Sequence, residues 1–210
     1  MTTRSIRFMC ATRVDNGEAV LLRSYIPPSD AGSSDFSDVD VTSAACATSA
    51  APTFLPSVMI NGVNFWDGGL LNNNPINQVW EARYDLAAPL PPLHKVAEEP
   101  IVSCVVSIGT GYHKETTELP RGFFDTLSTT LSHAMNTKAK DEDFRRSLHR
   151  QNLRKPEDQR TIYFRFNVSL RESINIDDWQ KMPVLEKDTN IWLNGEGQEL
   201  IRECTRLLSQ

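Results

Sequence analysis

Short, largely apolar strand-like runs, separated by Asn-Gly pairs, mark the first third of the chain. Residues 6–11 and 19–26 have this strand pattern on either side of "DNG" at 15–17, where Asn-Gly supplies the positive φ angles of a tight turn. A second pair, Asn61-Gly62, separates two shorter strand-like runs in "VMINGVNFW". The pattern predicts two β-hairpins, and the second one ends at Asp67.

Between the two hairpins, "VDVTSAACATSAAP" predicts a helix crowded with small side chains, which Pro52 closes. Small side chains allow a helix to approach a sheet or another helix closely. The alanines expected at this contact are Ala44, Ala45, Ala47 and Ala51.

A further helix is predicted over "PINQVWEARYDL". Asn74 is a good N-cap and Pro75 is a favoured first helical residue. The spacing of the apolar residues places Ile76, Val79 and Trp80 on the inward face.

The second half of the chain alternates predicted strands and helices. After a proline-rich connection at 87–100, "IVSCVVSIGTG" is a near-continuous apolar run that ends in a glycine turn and suits a buried parallel strand. A helix from about 122 to 150, a strand over "TIYFRFNV" and a turn at "IDDW" follow. The last helix should carry one apolar face, formed by Leu200, Ile201, Cys204, Leu207 and Leu208. This alternation predicts an α/β domain with a mostly parallel sheet.

Composition narrows the class of protein. The 210 residues are 40% hydrophobic, which is enough for the core of about one domain. The net charge of -5 is not concentrated in any run, so a nucleic-acid partner is not expected. No apolar stretch has the length of a membrane span, and the first residues lack a signal-peptide pattern, so we expect a cytoplasmic protein. The four widely spaced cysteines are expected to be reduced and buried.

Asp67 in "FWDGGLLNNNP" is the strongest candidate for chemistry. An Asp-Gly pair is most often only a turn. Here the preceding Phe65 and Trp66 predict partial burial, where an unpaired carboxylate is costly and needs a partner or a function. Gly68 and Gly69 would let another group approach closely. The position at a strand end before a helix is also where open α/β sheets place their active sites.

Other candidates carry weaker signals. "GTG" at 109–111 could cradle a phosphate, but a strand-end turn is the more frequent explanation. No histidine has an i,i+4 metal partner, so we expect no metal and no cofactor. The histidines considered were His94, His113, His133 and His149. The four tryptophans are expected in the core or at interfaces, namely Trp66, Trp80, Trp179 and Trp192.

Four motifs follow one another in the chain. They are "ATSAAPTFLP" at 47–56, "DGGLLNNNP" at 67–75, "SIGTG" at 107–111, and "YFRFNV" at 163–168 with "IDDW" at 176–179. Together they resemble the patatin-like phospholipases, a family of lipid acyl hydrolases, over almost the whole chain. The last pair is most similar to patatin-like domains of multidomain fungal proteins that also carry nucleotide-binding and repeat modules. The resemblance implies a three-layer α/β sandwich with a mostly parallel central sheet.

The resemblance also implies a reaction. In that family a serine within Gly-x-Ser-x-Gly attacks the ester, and the aspartate of an Asp-Gly-Gly motif takes the serine proton without a histidine. Asp67, flanked by Gly68 and Gly69, matches this aspartate and would be the general base. A lipid ester substrate and peripheral contact with membranes are implied in the same way.

The chain departs from the family at the nucleophile. None of its serines lies in Gly-x-Ser-x-Gly, because "GSSDF" at 32–36 lacks the second glycine, and no glycine-rich oxyanion loop is present. We therefore expect residues 1–210 to be the C-terminal two-thirds of a patatin-like domain. The N-terminal strand, the oxyanion loop and the nucleophile elbow would come from elsewhere, such as additional domains or a partner chain. The chain alone is expected not to hydrolyse esters by the family mechanism.

Three functions stay open from the sequence. The first is a part of a lipid acyl hydrolase. The second is a non-catalytic patatin-derived module that binds a lipid or a protein in a signalling protein. The third is a nucleotide or phosphate binder, which ranks last because only the "GTG" turn supports it.

Overall fold

The computed structural model describes residues 7–26, 36, 39–86, 99–113, 137–174 and 177–209. The chain divides into two compact units. The first unit comprises Met1–Pro100 and Pro120–Phe144, and the second comprises Ile101–Leu119 and Arg145–Gln210. Each unit combines strands with helices.

A four-stranded antiparallel sheet lies at the centre of the first unit, in the order β2-β1-β4-β3. Its strands are β1 (Phe8–Arg13), β2 (Ala19–Arg23), β3 (Val58–Ile60) and β4 (Val63–Asp67). Ala11 of β1 lies opposite Asp67 of β4. Both predicted hairpins are confirmed, because Gly17 and Gly62 adopt the positive φ angles of 71° and 79° that tight turns require.

Helix α1 (Val41–Thr48) packs on this sheet. The Asp40 carboxylate caps its first turn by accepting a hydrogen bond from the Ser43 N–H at 3.0 Å. The core between helix and sheet consists of Ala11, Leu22, Phe36, Ala44, Ala47, Ile60 and Phe65. The predicted close approach of a small-residue helix is therefore confirmed. The helix ends at Thr48, earlier than the predicted stop at Pro52, because the Ser49 N–H turns back to the Cys46 carbonyl.

Two helices follow β4, namely α2 (Gly69–Asn72) and α3 (Ile76–Ala82), and a 3-10 helix over Arg83–Leu86 continues α3. Ile76 and Trp80 are buried as predicted. Val79 is 45% exposed, so its predicted inward position was wrong. The Trp80 ring packs edge-on against Phe144, with 5.7 Å between the ring centroids, and this contact leaves Val79 at its border.

The second unit contains the parallel strand pairs. β5 (Cys104–Ile108) pairs with β7 (Ile162–Phe166), and β6 (Tyr112–His113) pairs with β8 (Ser169–Leu170). The parallel arrangement of β5 was predicted correctly, but the prediction that the strand is buried was wrong for one of its faces. Val105 is buried, whereas Val106 and Ile108 share the opposite face of the strand, and Ile108 is 78% exposed.

Three helices complete the described residues of the second half. They are α4 (Thr137–Asn152), which begins in the first unit and ends in the second, α5 (Met182–Leu193) and α6 (Glu196–Leu208). Helix α5 was not predicted. In α6, Cys204 is buried, but Leu208 is 66% exposed at the helix end, so the predicted apolar face is shorter than expected. The predicted helix at 122–136 and part of the "IDDW" turn lie outside the described residues.

The predicted α/β class is confirmed, and it includes parallel strands. The four-stranded sheet itself is antiparallel throughout its described strands. The two Asn-Gly turns explain this difference, because a two-residue turn can only join neighbouring antiparallel strands. The parallel pairs occur where helices or longer segments separate the strands in the sequence.

An ion pair between the exposed Arg171, which directly follows β8, and the buried Asp188 of α5 lies in the second unit. Asp188, which is almost fully buried, accepts hydrogen bonds from the Arg171 Nε at 2.6 Å and from the Arg171 backbone N–H at 3.0 Å. The hydrogen bonds from the Arg171 side chain and backbone lower the pKa of Asp188 from its ordinary value of 3.8. A lowered pKa in the folded state means that the ionised carboxylate stabilises the fold above that ordinary value.

We predict that Asp188→Asn lowers the melting temperature at neutral pH, because it removes the buried charge that Arg171 pairs with. The difference from wild type should shrink as the pH falls below 3.8 and through the lowered pKa of the folded protein. Thermal melts across acid pH measure it. Asp158→Asn, at an exposed carboxylate, is the matched control. Equal melting temperatures of Asp188→Asn and wild type at neutral pH would contradict the prediction.

Candidate active site

Hydrogen bonds on both sides hold the backbone of Asp67 at the end of β4. Its N–H donates to the Ala50 carbonyl at 2.9 Å, just beyond helix α1. Its carbonyl accepts a hydrogen bond from the Thr12 hydroxyl of β1 at 3.0 Å. Two separate parts of the chain therefore fix the position of the Asp67 backbone, from which the carboxylate side chain extends.

The carboxylate itself is anchored through one oxygen. Oδ1 of Asp67 accepts a hydrogen bond from the Gly69 N–H at 2.6 Å, which forms a local turn from side chain to backbone. The side chain is half-buried, and within the described residues it has no second hydrogen-bond partner and no ion pair. One carboxylate oxygen is thus oriented by the backbone, and the other stays open to accept a proton.

Gly68 allows the turn to lie directly against β1. A Cβ atom at this position would stand 2.1 Å from the Cys10 carbonyl oxygen and 2.8 Å from the Cys10 Cβ. Both distances are far inside van der Waals contact, and one of the two atoms belongs to the backbone and cannot rotate away. The first glycine of the motif is therefore required by packing.

Gly69 is constrained by the carboxylate that it binds. A Cβ atom on Gly69 would lie 3.1 Å from the Asp67 Oδ1, which is tighter than ordinary contact. A larger residue would displace the carboxylate from the N–H that orients it. The two glycines of the motif thus serve different contacts, one with β1 and one with Asp67.

Helix α4 holds the segment after the motif. The Lys140 ammonium donates a hydrogen bond to the Leu71 carbonyl. The buried Asn74 side chain donates to the Thr137 carbonyl at 3.4 Å, and its oxygen accepts from the Ile76 N–H at 3.3 Å. The helix begins at Ile76 with Pro75 as its N-cap, so the predicted N-cap position of Asn74 was wrong by one residue, although the Asn74 side chain binds the Ile76 N–H. The role of Lys140 was missed, because nothing local in the sequence connects it with a turn so far upstream.

Burial shapes the chemistry of two groups beside the turn. Desolvation raises the pKa of the Cys10 thiol to about 11, and the positive charge of Lys140 partly opposes this. Desolvation likewise lowers the pKa of Lys140. Cys10 is therefore a protonated, poorly nucleophilic thiol at neutral pH, which suits a packing role.

The "GTG" turn of the second unit uses its backbone N–H groups internally. The Gly109 N–H donates to the Phe166 carbonyl at 2.8 Å, and the Gly111 N–H donates to the Asn167 side chain at 3.0 Å. Gly111 also has a φ of 99°, which favours glycine. These donors are not available to a phosphate, so the strand-end turn is the better interpretation.

The remaining candidates do not gather into a site in the described part of the chain. His113 and His149 are exposed, while His94 and His133 lie outside the described residues. The described residues contain no group of three His, Cys, Asp or Glu side chains that could hold a metal ion. Trp80 is buried, whereas Trp179 is 75% exposed, so its predicted place in a core is not seen in this chain.

Part of the chain is similar to a known family. The family model described as patatin-like phospholipase matches residues 3–80, a range that contains β1 to β4, α1 and the Asp67 turn. No curated protein matches the chain. Among the described residues, no helix is both long enough and apolar enough to cross a membrane.

We predict that Gly68→Ala destabilises the first unit by about 3 kcal/mol, because the added methyl group cannot avoid the Cys10 carbonyl. Urea denaturation measures the loss. Gly17→Ala is the control, since it meets no atom within 4 Å and adds only the cost of a positive φ angle, roughly 1 kcal/mol. Equal effects of the two substitutions would show that the close approach is not real.

We predict that the thiols react with Ellman's reagent in two phases at about pH 8. The exposed Cys46 should react at once, and the buried Cys10 and Cys204 should react only on unfolding. Absorbance after mixing measures both phases, and Cys46→Ser should remove the fast one. Rapid reaction of all four thiols in the native protein would be inconsistent with this packing.

Proposed function

We propose that this chain, which matches the patatin-like phospholipase family model over residues 3–80, is part of a lipid acyl hydrolase with Asp67 as general base. The base would act on a serine in a Ser-Asp dyad. Residues 1–210 would form the C-terminal two-thirds of the catalytic domain. The substrate would be a carboxylic ester of a lipid.

The geometry of Asp67 is the observation that carries this proposal. A serine hydroxyl is a weak nucleophile until a base within hydrogen-bond reach accepts its proton. The Gly69 N–H fixes one oxygen of the carboxylate at 2.6 Å, and the other oxygen has no partner in the described part of the chain. This arrangement supports a base that is oriented before the nucleophile reaches it.

The reaction would proceed in two steps. The serine oxygen attacks the ester carbonyl while its proton passes to Asp67, and the proton then goes to the leaving alcohol as the acyl-serine forms. In the second step Asp67 takes a proton from water, which attacks the acyl-serine, and returns that proton to the serine oxygen as the acyl–oxygen bond breaks and the fatty acid leaves. The developing oxyanion needs N–H donors, and the 210 residues contain no glycine-rich loop of the family type to provide them.

A second candidate function rests on the missing nucleophile motif. The 210 residues contain no Gly-x-Ser-x-Gly. If the whole protein lacks this motif too, the fold would act as a non-catalytic module that binds a lipid or a protein. Asp67 would then be a structural turn that orients the Gly69 N–H.

The test compares Asp67→Asn with wild type in the longest protein that contains this chain, using a fluorogenic phospholipid. Asn keeps the size of the side chain and can still accept the Gly69 hydrogen bond, but it cannot take a proton at neutral pH. We expect kcat to fall by about 10²–10⁴-fold. The 210-residue chain alone should show no serine-dependent hydrolysis.

Asp15→Asn is the matched control, because that carboxylate lies in the exposed first hairpin and pairs with Arg13 at the surface. Its kcat should equal that of wild type. Activity that survives Asp67→Asn would refute the role of Asp67 as base. Complete absence of hydrolysis by the longest wild-type protein would favour the binding module.

A further inference from the structure

Residues 53–57 form an exposed turn in the first unit, next to the edge strand β3. All five residues are exposed, and two of them are large and apolar, with Phe54 57% and Leu55 53% exposed. Met59 of β3 is 68% exposed. We call residues 53–57 together with Met59 the apolar tip. Single exposed apolar residues are ordinary, but an exposed Phe-Leu-Pro run within one turn is not.

The backbone holds this turn in a conformation that its sequence does not favour. Thr53 has a φ of 73°, which is unusual for a β-branched residue and marks local strain. The N–H groups of Phe54 and Leu55 both donate to the Ala51 carbonyl, at 3.1 Å and 2.9 Å. These two hydrogen bonds hold the backbone of the turn in this conformation, in which its apolar side chains are exposed to solvent. Strain that the surrounding structure maintains is typical of functional segments.

The sequence around the tip carries no charge. No Asp, Glu, Lys, Arg or His occurs from residue 41 to residue 66, although 23% of the chain is charged. Protein interfaces usually have a polar rim that includes charged residues. A segment without charged side chains of its own can enter the apolar part of a lipid layer without desolvating an ion of that segment. Lipid is therefore a better partner for the tip than a second protein.

The tip is also connected to the candidate base. Ala50, whose carbonyl binds the Asp67 N–H at 2.9 Å, lies three residues before the tip. A hydrogen bond thus joins the segment that leads into the tip to the residue that would perform the chemistry. An enzyme whose substrate is packed in a lipid surface needs such proximity, because the ester must reach the base from that surface.

We propose that the apolar tip is the segment with which this protein docks on an uncharged lipid surface, with Phe54 and Leu55 inserted at the boundary of headgroups and acyl chains. This inference rests on the proposed function for the lipid ester that the docked protein would act on. The binding experiment that tests it does not depend on that function. Docking would scale with the apolar area that enters the layer, and it would depend little on salt. Phe and Leu suit this position because the apolar faces of segments that lie at such boundaries carry these side chains.

The experiment measures binding of the 210-residue chain to phosphatidylcholine vesicles by co-sedimentation. The doubly substituted Phe54→Ser, Leu55→Ser chain should bind at least about tenfold more weakly than wild type, and added salt should change neither value much. Both side chains are exposed, so circular dichroism melts should show that the variant still folds. The control is Leu153→Ser with Leu208→Ser, which removes two equally exposed leucines elsewhere and should leave binding unchanged.

Three results would overturn the proposal. The first is that wild type does not bind the vesicles, and the second is that the tip variant and the control lose binding equally. The third is that the wild-type chain forms a dimer and does not bind vesicles, and that only the tip variant is monomeric. The tip would then be a protein interface. Since binding needs no catalysis, hydrolysis of a water-dissolved short-chain ester by the longest protein tests the proposed function separately. The tip variant should reduce hydrolysis of vesicle lipid.

Discussion

The contact between Gly68 and the Cys10 carbonyl is the constraint on which the Asp67 site depends. No side-chain atom fits between the turn and β1, since a Cβ would lie 2.1 Å from that oxygen. The close approach brings the turn after β4 against β1. The N–H of the next residue, Gly69, then faces the Asp67 carboxylate. The orientation of Asp67 is therefore a consequence of backbone packing, and a long-range side-chain network is not needed for it.

Three further contacts hold the turn in this geometry. Thr12 and Ala50 hold the backbone of Asp67, and Lys140 holds the carbonyl of Leu71 just beyond the motif. Each contact involves a different element, so the site depends on the whole first unit being folded. Within the described residues the second oxygen of this carboxylate has no partner, and this arrangement supports the proposed role of Asp67 as a general base.

The sequence predicts the parts of this arrangement that local chemistry decides. Asn-Gly pairs require positive φ angles, so both hairpins could be predicted, and the Asp-Gly-Gly motif indicated the candidate base. The contacts of Lys140 with Leu71 and of Gly68 with Cys10 join residues far apart in the chain, and no local pattern reports them. Burial was also hard to predict, as the exposed Ile108 shows, because it depends on which neighbours cover a strand face.

Amide hydrogen exchange at Gly69 tests the central claim, that the backbone orients the Asp67 carboxylate. As the first residue of α2, Gly69 has no acceptor within the helix for its N–H, so any protection must come from the Asp67 Oδ1. The account predicts that this N–H exchanges slowly in wild type and quickly in Asp67→Ala. Exchange in wild type as fast as that of Gly62 in the exposed hairpin turn would contradict it.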